Sequence, residues 1–210
     1  MIRVLIADDH PIVRQGLRQI LSGTADVAVA AEATDGRELL EQMRRSLCDV
    51  VLLDLTMPGS DGMDVLKALR REWPETPVLV LTMHSEDQFA VRALRAGAAG
   101  YLTKDSAPSE LVGAIRKIVA GGRYISPWVA ERLASHFGPD DERPAHERLS
   151  DREYQVLRLI AAGKSTREIA EMLSLSAKTV GTYRARILEK MRMRTAAELT
   201  AYAVRNRLAD

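Results

Sequence analysis

Apolar and polar positions follow two different rhythms along the chain, and the change falls near residue 122. In the first stretch five short apolar runs stand out: IRVLIA (2–7), VAVAA (27–31), VVLL (50–53), PVLVL (77–81) and AGYL (99–102). Segments with helical apolar spacing lie between and after them, at 11–21, 36–46, 61–72, 86–96 and 108–120. Apolar runs this short read as strands buried on both faces, and the amphipathic segments read as the helices that cover them. Pro11, Pro58 with Gly59, Pro74 with Pro77, and Gly97 punctuate the elements. The alternation predicts an α/β domain built on a doubly wound five-stranded parallel sheet, for which the flavodoxin-like order 2-1-3-4-5 is the expectation adopted.

Beyond Gly121-Gly122 the pattern changes. SPWVAERLASHF (126–137) predicts one more helix, with Ser126 as cap and Pro127 at the first helical position. GPDDERPAHER (138–148) has two prolines, four acids and almost no apolar residue, the composition of a flexible linker. From Leu149 onward only helices are predicted, at 151–162, 166–173, after Ser176, and 195–207. Ser150 with Glu153, Ser165 with Glu168, and Thr195 with Glu198 have the spacing of capping boxes. The predicted organisation is therefore residues 1–122, a helix and linker over 123–148, and an all-α four-helix domain over 149–210.

Composition narrows the class. A hydrophobic fraction of 46% argues for a packed globular chain. No run approaches a membrane span, MIRVLIADD is too short an apolar stretch for a signal peptide, and a cytoplasmic location is expected. The single cysteine, Cys48, excludes an intrachain disulfide and reads as a small core residue. A net charge of +1 conceals an asymmetry: residues 1–138 carry −2, 139–148 carry −2, and 149–210, with 12 basic and 7 acidic side chains, carry +5. The basic module calls for an anionic partner.

Candidate chemistry gathers at the strand ends. In VVLLDLTMPG an aspartate, Asp54, arrives where the buried third strand should stop, and a carboxylate there is costly without a partner. Asp8 and Asp9 follow the first strand, Thr82 the fourth and Lys104 the fifth. With strand order 2-1-3-4-5 the switch point lies between strands 1 and 3, so Asp8, Asp9 and Asp54 converge. Carboxylates in that proximity repel one another, and a divalent cation relieves the repulsion. Oxygen-only ligands that leave room for water and phosphate suit Mg²⁺. Asp54 then fits a nucleophile that forms an aspartyl-phosphate, with Lys104 and Thr82 placed to meet phosphoryl oxygens. Each residue alone has an ordinary role open to it: Asp8 or Asp9 could cap the first helix, Asp54 could cap a turn, Thr82 could cap the next helix, and Lys104 could be solvated. Their joint placement favours a site.

DDHPIVRQGL, DLTMPGSDG, LTMHS and GYLTKDS resemble the receiver domain of two-component response regulators over about residues 1–122. The resemblance implies Asp54 as phosphoacceptor, Mg²⁺ held by Asp9 and Asp54 directly and by Asp8 through water, and the backbone carbonyl of Thr56 as a further ligand. It implies Thr82 and Tyr101 as a switch pair and Lys104 as the phosphoryl-binding lysine. One departure is Asp105, where many receivers carry proline, which leaves the isomer of the Lys104–Asp105 peptide open.

The basic helices have their own logic. Helix 151–162 should bury Val156, Leu157 and Ile160, and helix 166–173 should bury Ile169, Ala170 and Leu173. The SLS turn (174–176) leads into a third helix crossing the second, as in a helix-turn-helix. At 100° per residue that helix turns Val180, Tyr183, Ile187 and Met191 inward and Lys178, Thr182, Ala185, Arg186 and Glu189 outward. Six basic residues between 178 and 194 face one acid. A solvated surface helix and a DNA-reading helix both fit that pattern. LSDRE, KSTREIAEML and SAKTV resemble the LuxR-type helix-turn-helix over 149–208, and with the first half the chain is similar to the NarL/FixJ architecture. The resemblance implies phosphate contacts at Ser165 and Thr166, and readout of double-stranded DNA by Lys178, Thr179, Thr182, Arg186 and Lys190. Family members often place a lysine at the position of Gly181, so Thr182 and Arg186 take more of that readout. The last helix carries an apolar stripe of Ala196, Leu199, Tyr202 and Ala203, which either packs on its own domain or, as the resemblance implies, pairs with a second copy; a homodimer through the Leu199–Tyr202 helix and/or the receiver surface is expected.

These readings converge on a phosphorylation-dependent transcriptional regulator, fed at Asp54 by a sensor histidine kinase and not itself an enzyme. The rival classes are an Mg²⁺-dependent phosphohydrolase and a regulator that signals without phosphate. Phosphohydrolases of the haloacid dehalogenase type carry a second aspartate two residues after the nucleophile, where this chain has Thr56. Thr56 and His84 are the residues expected to tune slow loss of phosphate to water.

Overall fold

The computed structural model describes residues 1–57, 62–82, 87–125, 130, 144–173, 175–206 and 208. The chain forms two compact units, Met1–Ala134 and Ser135–Asp210. The helix expected at 126–137 and the acidic part of the linker lie outside the described residues, residue 130 apart.

In the first unit five parallel strands alternate with helices: β1 (Ile2–Ala7), α1 (Pro11–Ser22), β2 (Val27–Ala33), α2 (Gly36–Arg45), β3 (Val50–Asp54), α3 (Gly62–Glu72), β4 (Val78–Thr82), α4 (Asp87–Arg95), β5 (Gly100–Thr103) and α5 (Ala107–Val119). The sheet order is β2-β1-β3-β4-β5, the order expected for this doubly wound sheet. All five residues of β3 and of β4 are buried, which is why neither strand shows a polar alternate. One layer of the core joins Val4 and Ile6 of β1, Leu52 of β3, and Leu79 and Leu81 of β4 to Leu17 and Leu21 of α1 and to Leu111, Ile115 and Ile118 of α5.

Two local features set the sheet's carboxyl edge. Asp54 is the last residue of β3 rather than the first of the loop, so its side chain leaves from a rigid strand. A Cβ on Gly62, at the start of α3, would lie 2.4 Å from the Leu55 backbone, so only glycine lets that helix start pass against the loop after Asp54. Beyond the last helix of this unit, Tyr124 exchanges backbone hydrogen bonds with Ala99 and Tyr101 at the edge of β5. Cys48 is half-buried with its Sγ 3.4 Å from Met43 Sδ, and burial pushes its thiol up to about 11, the state of an inert structural cysteine.

In the second unit a 3₁₀ turn (Ala145–Arg148) precedes α6 (Asp151–Ala161), α7 (Thr166–Met172), α8 (Ala177–Lys190) and α9 (Ala196–Arg205). All three predicted capping boxes form, and Ser176 caps α8 through the Thr179 N–H. Tyr154, Val156, Leu157, Ile169, Val180, Ile187, Leu199 and Ala203 are buried together with Met191 and Leu208. Ile160 and Leu173, expected in the core, are only half-buried.

The linker reading needs refinement at its C-terminal end. His146 sits in the 3₁₀ turn, is buried, and its Nδ1 lies 2.8 Å from the Tyr202 hydroxyl of α9. The helical unit therefore starts ahead of Leu149, because an aromatic ring in a polar stretch has a tertiary pocket to fill.

The last helix turns part of its apolar stripe toward its own unit. Leu199 is 0% exposed and belongs to its own unit's core, and the half-buried Tyr202 bonds to His146. The outward side of α9 carries Ala197, Ala201 and Val204 instead, the last 60% exposed.

Candidate functional site

The carboxyl ends of β1, β3, β4 and β5 bring together the acids, the lysine and the threonine that the sequence singles out. Asp8 and Asp54 are each 1% exposed, and Lys104 reaches both. Its Nζ donates to Asp54 Oδ2 at 2.6 Å and lies 2.7 Å from Asp8 Oδ2. Burial by itself would lower the Lys104 pKa, but its hydrogen bond to Asp54 and its pairing with Asp8 outweigh it and hold the ammonium above its ordinary value. The lysine is aimed by its backbone, whose N–H donates to the Thr82 carbonyl at 2.8 Å. Among the described residues there is no cis peptide, so Lys104–Asp105 is trans.

The other oxygen of Asp54 is held locally. The Thr56 N–H and hydroxyl both donate to Asp54 Oδ1, at 3.0 and 2.7 Å. Thr82 ends β4 opposite Thr103 of β5, and Tyr101 pairs with Val80 two residues earlier; Thr82 and Tyr101 are both buried. His84 lies outside the described residues.

Two residues that the sequence reading left out shape the β1–α1 turn. The His10 N–H donates to Asp8 Oδ1 at 2.8 Å, and its imidazole Nδ1 lies 2.8 Å from Asp9 Oδ1. Arg14 donates to the Asp8 carbonyl at 2.7 Å and pairs with Glu32 of β2 at 3.3 Å, fixing the turn from behind. The adjacency of His10 to two acids was the available signal for the first. Nothing local marks Arg14, whose partner is 18 residues away.

Asp8, Asp9, His10 and Asp54 each offer a donor atom, and these atoms all lie within 4.8 Å of one another. With Lys104 present, three carboxylates leave a charge of −2, which a divalent cation neutralises. Among the described residues, the buried Asp8 Oδ2 and Asp9 Oδ1 accept no well-aligned hydrogen bond and have only ion pairs with Lys104 and His10. Oxygen-rich donors with spare lone pairs fit a hard dication.

The second candidate surface is α8. Lys178, Thr182, Ala185, Arg186 and Glu189 are exposed, opposite the buried Val180, Ile187 and Met191; Tyr183 is half-buried. The Thr182 hydroxyl donates back to the Lys178 carbonyl. Ser165 and Thr166 open α7 and are exposed, while Thr179 is half-buried with its hydroxyl 2.7 Å from that of Ser176. Lys190 stands apart from this face. Its Nζ lies 2.6 Å from the buried Glu153, which also closes the α6 capping box, so its ammonium is committed to its own unit.

A parallel α/β domain with paired acids and a lysine at the switch point, followed by a capped helix-turn-helix with a basic outer face, defines a signal-receiving DNA-binding regulator. Comparison with known proteins agrees with that class. The response regulator receiver domain family matches residues 4–116, and the luxR family of bacterial regulatory proteins matches 147–203. Response regulator GacA of Pseudomonas viridiflava is 42% identical over 211 aligned residues, covering 100% of this chain and 99% of that protein. Response regulator UvrY of Escherichia coli (strain K12) is 38% identical, covering 100% and 97%. RcsB from Salmonella enterica serovar Typhimurium, solved bound to promoter rprA in the presence of phosphomimetic BeF3-, is 30% identical with a TM-score of 0.68, covering 96% and 98%. The chain belongs to the NarL/FixJ family of response regulators, and its function is phosphorylation-dependent transcriptional regulation. Receiver domains of this kind typically bind Mg²⁺ at their acidic pocket. Among the described residues, no helix is long and apolar enough to cross a membrane.

Proposed function

We propose that Asp54 is the phosphoacceptor and that its phosphorylation by a sensor histidine kinase controls DNA binding by α8. The observation that carries this reading is the buried Lys104 ammonium bridging Asp54 and Asp8, since one cation then serves both the resting carboxylates and an incoming phosphoryl group. An Asp54 carboxylate oxygen attacks phosphorus as the P–N bond of the kinase phosphohistidine breaks, and the departing imidazole retains the electron pair and takes up a proton. Asp8, Asp9 and Asp54 would hold Mg²⁺, with the Thr56 carbonyl as a further ligand. The metal would supply charge neutralisation for the phosphoryl oxygens. Lys104 pairs with one phosphoryl oxygen, Thr82 donates to another, and Tyr101 follows Thr82 to couple the site to the β4–β5 side of the domain.

Both Asp54 oxygens are engaged at rest, so phosphorylation displaces either the Thr56 hydroxyl or Lys104. Loss of phosphate to water is slow, because a threonine rather than an acid stands two residues beyond Asp54. That same residue disfavours a phosphohydrolase.

On DNA, Lys178, Thr182 and Arg186 face the groove, and Ser165 and Thr166 meet the phosphate backbone. Thr179 and Lys190 act indirectly, by fixing the start and end of α8. The protein works as a homodimer, and the Ala197–Ala201–Val204 side of α9 is the surface available for pairing. The test is intact mass after incubation with acetyl phosphate and Mg²⁺. One labile phosphoryl group is expected on the wild type and none on Asp54→Asn or after EDTA. An adduct that survives in Asp54→Asn sinks the assignment.

A further inference from the structure

We propose that Tyr124 couples the receiver unit to the chain that follows it, by strapping the first residues of that chain to the backbone of Tyr101. The inference rests on Tyr101 being a residue that responds to phosphorylation, and it concerns how that response leaves the unit. β5 is an edge strand of the sheet, so the backbone donors and acceptors on its outer side need partners from elsewhere. The chain returns to that edge after α5. It reverses at Gly121-Gly122, where the Gly122 N–H donates to the Lys117 carbonyl at 3.0 Å. Tyr124 then lies parallel to β5 beside Gly100. Its N–H donates to the Ala99 carbonyl, and its own carbonyl accepts from the Tyr101 N–H, both at 3.1 Å.

The approach is close enough to dictate a residue. A Cβ on Gly100 would stand 2.9 Å from the Tyr124 carbonyl oxygen and 3.0 Å from the Tyr124 Cβ. The side chain of Tyr124 is held by a different element from its backbone. Its hydroxyl donates to Glu110 of α5, and Lys117 Nζ lies 5.8 Å from the ring centroid. The ring packs against the core layer that contains Leu111, Ile115 and Ile118 of the same helix. The Glu110 bond and burial push the phenol up to about 12, so it stays a donor at neutral pH. Tyr124 thus joins β5, α5 and the onward chain at a single residue.

The consequence is mechanical. Tyr101 is buried, and its amide is fixed to the Tyr124 carbonyl. A hydrogen bond weakens steeply as it bends or lengthens, so a shift of β5 at Tyr101 loads this contact directly. The ring, anchored on α5, resists following. The strap therefore either carries the shift onward or opens, and both reach the chain after Ile125. A tyrosine that only filled the edge of the core would leave the response to phosphorylation intact when truncated.

The experiment uses the full-length protein with and without the phosphomimetic beryllium trifluoride and Mg²⁺. Residue-resolved amide hydrogen exchange on the wild type needs no variant to fold. Protection of the Tyr124 amide is expected to change about fivefold or more together with that of Tyr101. A Tyr124 amide that keeps its protection while Tyr101 changes overturns the inference alone. No change at either residue overturns the reading of Tyr101, and the inference with it. DNA affinity is then measured in both states for the wild type, Tyr124→Ala and Tyr124→Phe. Tyr124→Ala should accept one phosphoryl group from acetyl phosphate as the wild type does, while the ratio of its two DNA affinities falls to within about twofold of one. Tyr124→Phe, which keeps the ring and loses the Glu110 bond, should show an intermediate ratio. A wild-type ratio in Tyr124→Ala overturns the inference and leaves Asp54 standing. A wild type that is phosphorylated with no change in DNA affinity overturns both the inference and the control of DNA binding by Asp54.

Discussion

Lys104 joins two acidic residues at the centre of the receiver unit, and the physics of that contact is asymmetric. Removing the cation leaves Asp8 and Asp54 buried with their charges uncompensated, a loss of about 3–5 kcal/mol for a broken buried pair. Lys104→Met, measured by urea unfolding without divalent ions at pH 7, is expected to show a loss in that range. The pH dependence has a definite sign. The folded pKa of Lys104 is raised, so its stabilisation is complete below the ordinary value of 10.5 and is lost as pH rises through the higher folded value. The wild type should therefore lose more stability than Lys104→Met between pH 9 and the alkaline limit near pH 12, and the gap between them should narrow. A gap that stays constant across that window would show that the lysine acts through packing alone. At this scale the acids, Lys104 and Thr82 were legible from their places at strand ends, because a polar residue that closes an apolar run can only sit at the sheet's edge. His10 was marked only by its adjacency to two acids, and Arg14 was not legible, since its partner Glu32 lies 18 residues away.

Elements end where side chains compete for the backbone, and most of these signals are local. Three capping boxes were read from the Ser/Thr–x–x–Glu spacing, and all three form. One carries an extra duty invisible in the spacing: Glu153 of α6 also binds Lys190 of α8. Burial raises the Glu153 pKa, but the Lys190 and Ser150 hydrogen bonds outweigh it and leave the carboxyl below its ordinary value. Its stabilisation is therefore present above 4.5 and lost as pH falls through the lower folded value. Glu153→Ala should cost the helical unit about 2 kcal/mol near pH 7, combining a lost cap and a lost charge-assisted bond, and less below pH 4. Thermal melts at both pH values test this.

Other endings escape sequence reading. Arg192 takes the left-handed conformation (φ 55°) just after α8, a position where glycine is the usual residue. Its backbone N–H bonds to the Glu189 carbonyl, and the Met193 N–H to Leu188, so the ending is imposed by the packing of Met191 rather than by a breaker. Gly62 is the reverse case: an ordinary-looking helix glycine that is sterically required. Gly62→Ala should destabilise the receiver unit by about 2–3 kcal/mol and slow acetyl-phosphate labelling, since the Cβ pushes the loop after Asp54. Normal stability in Gly62→Ala would remove that account.

For the whole molecule, charge asymmetry between the halves pointed to an anionic partner for the second, and membership of a luxR-type family agrees with DNA as that partner. Which cations serve DNA is a tertiary matter. Arg186 is exposed on the outer face of α8, whereas Lys190, one turn on, is tied to Glu153. Arg186→Ala is expected to reduce the salt slope of DNA binding by about one phosphate contact, and Lys190→Ala by much less. Binding isotherms on one duplex across a salt series measure both slopes. Equal slopes for the two variants would mean that the ion pair opens on DNA.

The sequence by itself determined the alternation of strands and helices, the helix caps, the polar residues at strand ends and the family. These are written in periods, spacings and motifs of a few residues, and the local backbone obeys them. Only the tertiary structure decided which polar groups are spent internally. It placed Lys104 on two acids at once, and bound Lys190 to Glu153 and His146 to Tyr202. Each of those outcomes joins residues 37 to 96 positions apart, as Lys190 with Glu153 and Lys104 with Asp8 show. A side chain's commitment depends on what the fold brings within about 3 Å of it, and no local pattern records that distance.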